Sequence, residues 1–344
     1  MSVDVIVTDP PYELAFLGKS WDASGIAYSV DLWRECLRVL KPGGHLAAFG
    51  ATRTYHRMAV AIEDAGFEIR DSLHWMYGSG FPKGQDVGKL IDRRRDDRYA
   101  APAPATAAAA RWDGWNTALK PGHEPIVLAR KPLEGPVAAN VLAYGTGGIN
   151  AGACKTPPGD EAGRWPTNIL LSHAAAVQDG QLVDACGDLC ERGCPVAELD
   201  AQSGLLHSGA NPRRRSADKF RNVYGDFKGQ TECAPVRGAD SGGASRFFPV
   251  FRYQAKAPSK ERPRLPDGTA HPTVKPIALM RWLVRLLTPP GGTVLDPFAG
   301  TGTTLEAARL EGFASLGVEK DPAYAELCKV RLGERLAGRG QAAT

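Results

Sequence analysis

The sequence lacks any apolar run approaching the ~18 residues that cross a bilayer. Its amino terminus, Met1-Ser2-Val3-Asp4, carries no basic region ahead of an apolar stretch. Neither a membrane span nor a secretory leader is expected, and the cytoplasm is the predicted compartment. Charge of one sign is scarce too: 42 Lys and Arg against 38 Asp and Glu leave +4. That balance is compatible with nucleic acid but excludes a histone-like binder. Cysteine is sparse and odd in number, seven in 344 residues, which makes a poor disulfide framework. Reduced thiols, with or without a metal, are the expectation. Proline (26) and glycine (39) are plentiful and crowd the middle of the chain, where they predict long loops. With 43% hydrophobic and 23% charged residues, wholesale disorder is excluded. At ~150 residues per domain, the length suggests about two domains or one elaborated one.

The periodicity is that of a layered α/β protein. Val3 to Thr8 reads as a strand stopped at Asp9-Pro10-Pro11-Tyr12. A helix carrying Leu32, Cys36 and Leu40 follows, ended by Lys41-Pro42-Gly43-Gly44. His45 to Gly50 reads as a buried strand, Thr54 to Ala65 as a helix, and Phe67 to Tyr77 as an alternating strand. Residues 100–110 are low in complexity, and Ile126 to Ala129 is a short strand. From about 133 to 255 the chain is irregular and rich in Gly, Pro, Arg and Asn. Regular structure resumes after His271, with a helix from Pro276 and a strand at Thr293-Val294-Leu295. Another helix, a strand ending at Glu319, and a last helix capped by Asp321 complete the pattern. The two ends are each incomplete α/β pieces, expected to join in one sheet.

Two constellations carry chemistry. Asp296-Pro297-Phe298-Ala299-Gly300-Thr301-Gly302-Thr303-Thr304 is a Gly-rich turn from strand to helix, where backbone approaches a ligand closely. Glu319 ends the next strand, where an acid can accept both hydroxyls of a ribose. The turn has no P-loop lysine, and Asp296 repels a pyrophosphate but attracts an ammonium. An adenosyl ligand with a cationic amino-acid tail, S-adenosylmethionine, fits these charges. The alternative is an ordinary βα turn beside a surface acid. In Asp9-Pro10-Pro11-Tyr12, the Asp9 carboxylate and the Pro10 carbonyl can each accept one N–H of an exocyclic amine, and Tyr12 offers a face for a base taken out of its stack. Read blandly, the tetrapeptide is a turn.

Together these motifs resemble those of the beta-class DNA amino-methyltransferases. Asp9-Pro10-Pro11-Tyr12 is similar to that family's DPPY motif, His271-Pro272-Thr273-Val274-Lys275-Pro276 to its HPTxKP segment, and Asp296 to Thr304 to its DPFxGxGTT loop. Leu40 to Gly44 and His123-Glu124-Pro125-Ile126 resemble further family blocks. Phage and prophage members share stretches similar to Gly80-Phe81-Pro82-Lys83, Gly163 to Asn168 and Ala244 to Phe248. The resemblance covers most of the chain, excepting residues 95–112 and 175–240. It implies a three-layer, Rossmann-like methyltransferase sheet, circularly permuted, with an inserted irregular target-recognition domain. Residues 1–132 would be the catalytic half, with a loop insertion at about 81–117, 133–255 the recognition region, and 256–344 the cofactor half. It further implies that Thr273, Asp296, Phe298, Gly300, Gly302, Thr303 and Glu319 contact S-adenosylmethionine, and that Asp9, Pro10, Pro11 and Tyr12 hold the base. The expected reaction is methylation of adenine N6 in a specific double-stranded DNA sequence, with cytosine N4 as the alternative. Relatives also carry a strand ahead of DPPY that ends in an acid beside the adenine. Here Asp9 lies eight residues after Met1, which leaves no room for it in this sequence.

Other readings stand beside this one. A DNA-binding protein that kept the fold and lost activity is one rival. Methylation of RNA or of a protein glutamine is another, which Asp9 disfavours because such relatives more often carry Asn there. A homodimer is left open. Arg93 to Arg95 and Arg213 to Arg215 are candidate phosphate contacts. Arg246, Arg252, Lys256, Lys260 and Arg262, interleaved with aromatics, suggest a strand-borne DNA surface. Cys186, Cys190 and Cys194 with His173 have the donor types of a structural zinc site, the alternative being three thiols on one helical face.

Overall fold

The computed structural model describes residues 2–15, 18, 20–78, 84–93, 106–157, 163–173, 176–178, 181–183, 194–209, 238–251 and 262–339. In chain order the first elements are β1 (Val3–Thr8), α1 (Val30–Val39), β2 (Leu40–Phe49), α2 (Tyr55–Asp64), β3 (Glu68–Met76), α3 (Val87–Arg93) and α4 (Ala107–Ala110). Then come β4 (His123–Arg130), α5 (Val137–Tyr144), β5 (Ile169–Ser172), β6 (Ala176–Gln178), β7 (Gln181–Val183), α6 (Pro195–Ser203), β8 (Leu206–Ser208), β9 (Asp240–Gly242) and β10 (Val250–Phe251). The chain ends with α7 (Ile277–Leu287), β11 (Thr293–Asp296), α8 (Thr303–Leu310), β12 (Ala314–Gly317) and α9 (Pro322–Arg339).

Eight strands form one sheet in the order β10-β5-β3-β4-β2-β1-β11-β12. Strand β4 runs antiparallel to both β2 and β3, and the other neighbours are parallel. The expected joining of the two chain ends is observed: β1 pairs with β11, Val5 opposite Val294 and Ile6 opposite Leu295. Successive residues serve opposite faces of the sheet. Val5, Val7, Ala47, Phe49, Ile126 and Leu128 pack under α7 and α8, with Leu279, Leu283, Ala307 and Ala308. Ile6, Leu46, Ala48, Val127 and Ala129 pack under α1 and α2, with Trp33, Cys36, Met58 and Ile62. Burial on both faces explains why these strands read as continuous apolar runs. Asp4, the one charge in β1, is satisfied where it sits. Lys41 donates to it at 2.6 Å and the Thr293 backbone N–H at 2.8 Å, so it ties β1 to the strands on either side.

Three details depart from the sequence expectation. Lys41 to Gly44, expected to stop a helix, belong to the start of β2. Gly43 sits at φ +77°, and a Cβ there would lie 2.4 Å from Asn140 Nδ2. That amide, on α5, donates instead to the Pro42 carbonyl at 3.0 Å. Strands β5 and β10, from the stretch expected to form the recognition region, extend the main sheet beyond β3. The apolar Ile169-Leu170-Leu171 run accounts for this, since Leu170 is fully buried in the main core. The basic stretch from 246 is not strand-borne at its start. Arg246 lies in a short 3₁₀ turn, Ala244–Phe247, and spends its guanidinium on the Gly242 and Gly243 carbonyls. Arg252, Lys256, Lys260, Arg94, Arg95 and Arg213 to Arg215 lie outside the described residues.

Helix α9 is fastened to α8 by a buried ion pair, Arg331 to Glu306 at 2.9 Å. Removing one partner of such a pair strands the other charge in the interior, which costs about 3–5 kcal/mol. Arg331→Met is expected to lose that much stability in chemical denaturation. A loss under 1 kcal/mol would mean that water reaches Glu306 in the folded protein.

Candidate active site

The site lies where β1 and β11 end side by side. Asp9 follows β1 directly, and Asp296 is the last residue of β11. Thr8 Oγ1 donates to Asp296 Oδ1 at 2.6 Å, and the Phe298 N–H donates to the same oxygen at 3.0 Å. Asp296 is 2% exposed. Burial raises its pKa to about 6, although hydrogen bonds from Thr304, Thr8 and Phe298 oppose the rise. The partners are all uncharged donors, which stabilise a carboxylate less than an ammonium would.

The loop after Asp9 is shaped by Asp22. Its carboxylate accepts the backbone N–H groups of Tyr12 at 2.7 Å, Glu13 at 3.1 Å and Leu14 at 3.2 Å. This holds Glu13 and Ala15 in left-handed backbone at φ 56° and 51°. Thr54 adds a hydrogen bond to the Tyr12 carbonyl at 2.8 Å.

Around Asp9 the structure assembles groups from distant parts of the chain. Lys275 Nζ donates to Asp9 Oδ2 at 2.6 Å and to the Tyr12 hydroxyl at 2.9 Å, and it lies 3.3 Å from Glu124 Oε2. Tyr12 in turn donates to Glu124 Oε2 at 2.7 Å, while Tyr77 donates to Glu124 Oε1 at 3.4 Å. Asp9 Oδ1 is buried and has no hydrogen-bond partner among the described residues. Burial pushes the Asp9 carboxyl above its ordinary value, with the Lys275 ammonium opposing and Glu124 adding to the rise. Burial alone would lower the Lys275 ammonium, but the two carboxylates outweigh it and its pKa lies above that of an ordinary lysine.

The Gly-rich turn connects β11 to α8. Gly302 is left-handed at φ +76°, and a Cβ on it would stand 2.5 Å from Cys328 Sγ of α9, so no other residue fits. Glu319, just past β12, accepts the Gly300 N–H at 2.7 Å and the Asp321 N–H at 2.8 Å. Phe298 is half-buried against the core under α1 and α2, and Thr303 opens α8. Thr273 is exposed and borders His271, whose ring lies 5.7 Å from Trp21 and 4.4 Å from Tyr324.

The structure thus gathers Asp9, Pro10, Pro11 and Tyr12 at one strand end and Asp296 to Thr303 with Glu319 at its neighbour. Lys275, Glu124 and Asp22, which the structure brings to this strand end, are not among the candidate site residues that the motifs point to. Lys275 and Glu124 stand within motifs that the sequence singled out, but spacing alone does not tell that they meet. Of the zinc candidates, Cys194 is buried at the start of α6, with Sγ 3.5 Å from His173 Nδ1. Cys186 and Cys190 lie outside the described residues. Among the described residues no group of three or more His, Cys, Asp or Glu side chains is placed to hold a metal.

The site is thus a mixed α/β sheet with an acid at each of two adjacent strand ends and a Gly-rich turn following one of them. The family profile described as DNA methylase, of the N6/N4 methyltransferases, matches residues 3–330, and the chain belongs to that family. The type II methyltransferase M.HindIII of Haemophilus influenzae is 25% identical over 308 residues, 88% of this chain and 68% of that protein. M.ScaI of Streptomyces caespitosus is 38% identical over 85 residues, 25% of this chain and 26% of its own length. Among solved structures, the M1.HpyAVI–SAM complex is 16% identical with a TM-score of 0.42, covering 96% of this chain and 89% of that one. The cytosine-N4-specific PvuII DNA methyltransferase is 14% identical with a TM-score of 0.42, covering 96% and 79%.

Asp296 gives a pH test. Its folded pKa of about 6 lies above the ordinary 3.8, so the unfolded chain gives up its proton first as pH rises. Its contribution to stability is present below pH 4 and is lost by about pH 6. The shift of roughly two units amounts to about 3 kcal/mol. The stability of the native protein relative to Asp296→Asn is expected to fall by that order between pH 4 and 6.5, measured by urea denaturation. Parallel curves for the two proteins would place Asp296 in contact with water.

Proposed function

We propose that the chain transfers a methyl group from S-adenosylmethionine to the exocyclic N6 amine of adenine in a specific double-stranded DNA sequence. The observation that carries this reading is the parallel pairing of β1 with β11, which sets Asp9 and Asp296 at adjacent strand ends linked through Thr8. One acid serves the base and the other the cofactor.

The residues of the turn suit S-adenosylmethionine. Asp296 is a buried acid with only uncharged donors, and an ammonium would hold it ionised. Glu319 can receive ribose hydroxyls through the lone pairs that its two backbone N–H bonds leave over. The space beside Gly300 is open, with the nearest atoms to an added Cβ at 3.9 and 4.0 Å. Phe298, Gly302, Thr303 and Thr273 complete the surface assigned to the cofactor, which when bound supplies an electrophilic methyl group on a sulfonium.

At the other strand end, Asp9 Oδ1 and the Pro10 carbonyl take the two N–H bonds of the target amine and turn its lone pair out of conjugation. Tyr12 stacks on the extruded base. No strong base is needed, because the neutral amine attacks the methyl carbon as its bond to sulfur breaks to leave a neutral thioether, and the methylated nitrogen then gives up one proton to water. The hydrogen bond to Asp9 strengthens as the nitrogen becomes cationic, which is selective stabilisation of the transition state. The recognition sequence is assigned to parts of 133–255.

Sequencing that detects methylated bases, applied to DNA from a host expressing the protein, tests the assignment directly. N6-methyladenine at one recurring sequence supports it, and N4-methylcytosine would move the target to cytosine. Asp9→Ala is expected to lower methyl transfer by about 100-fold or more, the effect of a lost charged acceptor worth about 3 kcal/mol, with cofactor affinity nearly unchanged by calorimetry. Undiminished turnover in that variant would sink the assignment of Asp9. Glu319→Gln is expected to act oppositely, weakening cofactor binding by about 1.5–3 kcal/mol with little change in DNA affinity. An unaltered cofactor dissociation constant would reduce Glu319 to a brace for the Gly300 backbone.

A further inference from the structure

Resting on that reading of the site, we propose that Lys275 and Glu124 are positioning residues for methyl transfer. Lys275 occupies one oxygen of Asp9 and leaves the other free for the amine, and Glu124 keeps the buried cluster at one net negative charge.

The geometry carries the first half. The two oxygens of Asp9 are unequal: Oδ2 is held by Lys275 at 2.6 Å, and Oδ1 is buried without a partner among the described residues. A buried acceptor left unmatched is costly. It is tolerated where a ligand supplies the missing donor, and an exocyclic amine is a donor of the right kind. The Lys275 side chain is only 10% exposed and is enclosed by Asp9, Glu124 and the rings of Tyr12 and Phe49, at 5.0 and 4.8 Å. It has little freedom to swing away, so the orientation of Asp9 is set before a base arrives.

Charge accounting carries the second half. Asp9 with Lys275 alone would be a neutral pair, with little attraction for an amine becoming cationic. Glu124, 3.3 Å from the same ammonium, makes the sum of the three −1. It also fixes the Tyr12 ring through the 2.7 Å hydroxyl hydrogen bond, so the stacking face and the amine acceptor are registered against one carboxylate. The other titratable groups bearing on the cluster are His271 from the segment before α7, Asp296 from β11, and Tyr77 beside Glu124. None of these is bonded to Asp9.

The two residues act on Asp9 with opposite sign, and this separates positioning from general support of the fold. Lys275 holds Asp9 ionised, so in Lys275→Met the acid limb of the pH–rate profile for single-turnover methyl transfer should move to higher pH. The rate at pH 7 should fall at least 30-fold and recover in part by pH 9. Lys275→Arg should return to within tenfold of the native rate. Glu124 disfavours the Asp9 charge, so in Glu124→Gln the acid limb should move to lower pH while the plateau rate falls about tenfold. Cofactor affinity by calorimetry should stay within threefold in all three. Circular dichroism checks the fold of each variant, and if Lys275→Met does not fold, a downward shift of the acid limb in Glu124→Gln beside an unshifted limb in Lys275→Arg still decides. Profiles that superpose on that of the native protein would overturn the inference. A native protein that binds cofactor but methylates no DNA would overturn the proposed function itself, a distinguishable result.

Discussion

The pairing of β1 with β11 is the constraint on which the rest depends. These strands come from opposite ends of the chain, yet they lie side by side and parallel within the one sheet, between β2 and β12. Parallel strands bring their carboxyl ends to the same edge, and in open α/β sheets ligands gather there. Two of the candidate acids are placed by that fact: Asp9 and its loop follow one strand, and Asp296 and its turn follow the other. Asp4 reinforces the junction near the opposite end of β1 by bonding to both Lys41 and Thr293. Thr8 does so at the reactive end.

The two acids at this edge are kept in different environments. Asp296 is surrounded by hydroxyl and amide donors, and burial raises its pKa to about 6. Asp9 shares a buried lysine with Glu124. Titratable groups whose surroundings differ in this way can be given different tasks by one fold. In the proposed reaction, one acid awaits a ligand that is already cationic and the other awaits a nucleophile that becomes so. An acid paired in advance with its own full counter-ion would serve the first task poorly. The second task needs a carboxylate ionised before the substrate arrives, which explains why a lysine stands beside Asp9 and not beside Asp296.

Much of the fold was legible because its signals are local. A six-residue apolar run before Pro-Pro, a Gly-rich turn after Thr293-Val294-Leu295 and an Asp-Pro helix start each rest on backbone rules that act over a few residues. The Asp321 cap is observed as read, accepting the Ala323 N–H at 2.8 Å. What escaped is long-range. Glu124 is 112 residues from Tyr12, and Lys275 is 266 from Asp9, and no periodicity reports such meetings. The Lys41 to Gly44 segment misled for a related reason. Its glycines look like a helix stop, but their job is to admit Asn140 from nearly a hundred residues away. Arg246 misled through composition: a basic residue among aromatics suggests a surface for phosphates, whereas this one is occupied with turn carbonyls.

The Gly-rich turn shows how such long-range packing finishes what local sequence begins. Glycine at 302 permits the left-handed backbone, but permission is not a fixed shape, because an unsupported glycine turn samples many conformations. Here α9 closes against it from behind, with Cys328 filling the space a side chain would need. The Arg331–Glu306 pair holds α9 to the helix that the turn opens. From the other side Glu319 takes the Gly300 N–H, so the strand after the turn helps define it. A turn clamped on both sides presents its backbone in one arrangement, and less ordering is then required of a ligand that binds there. The last helix is therefore part of what fixes the shape of the turn.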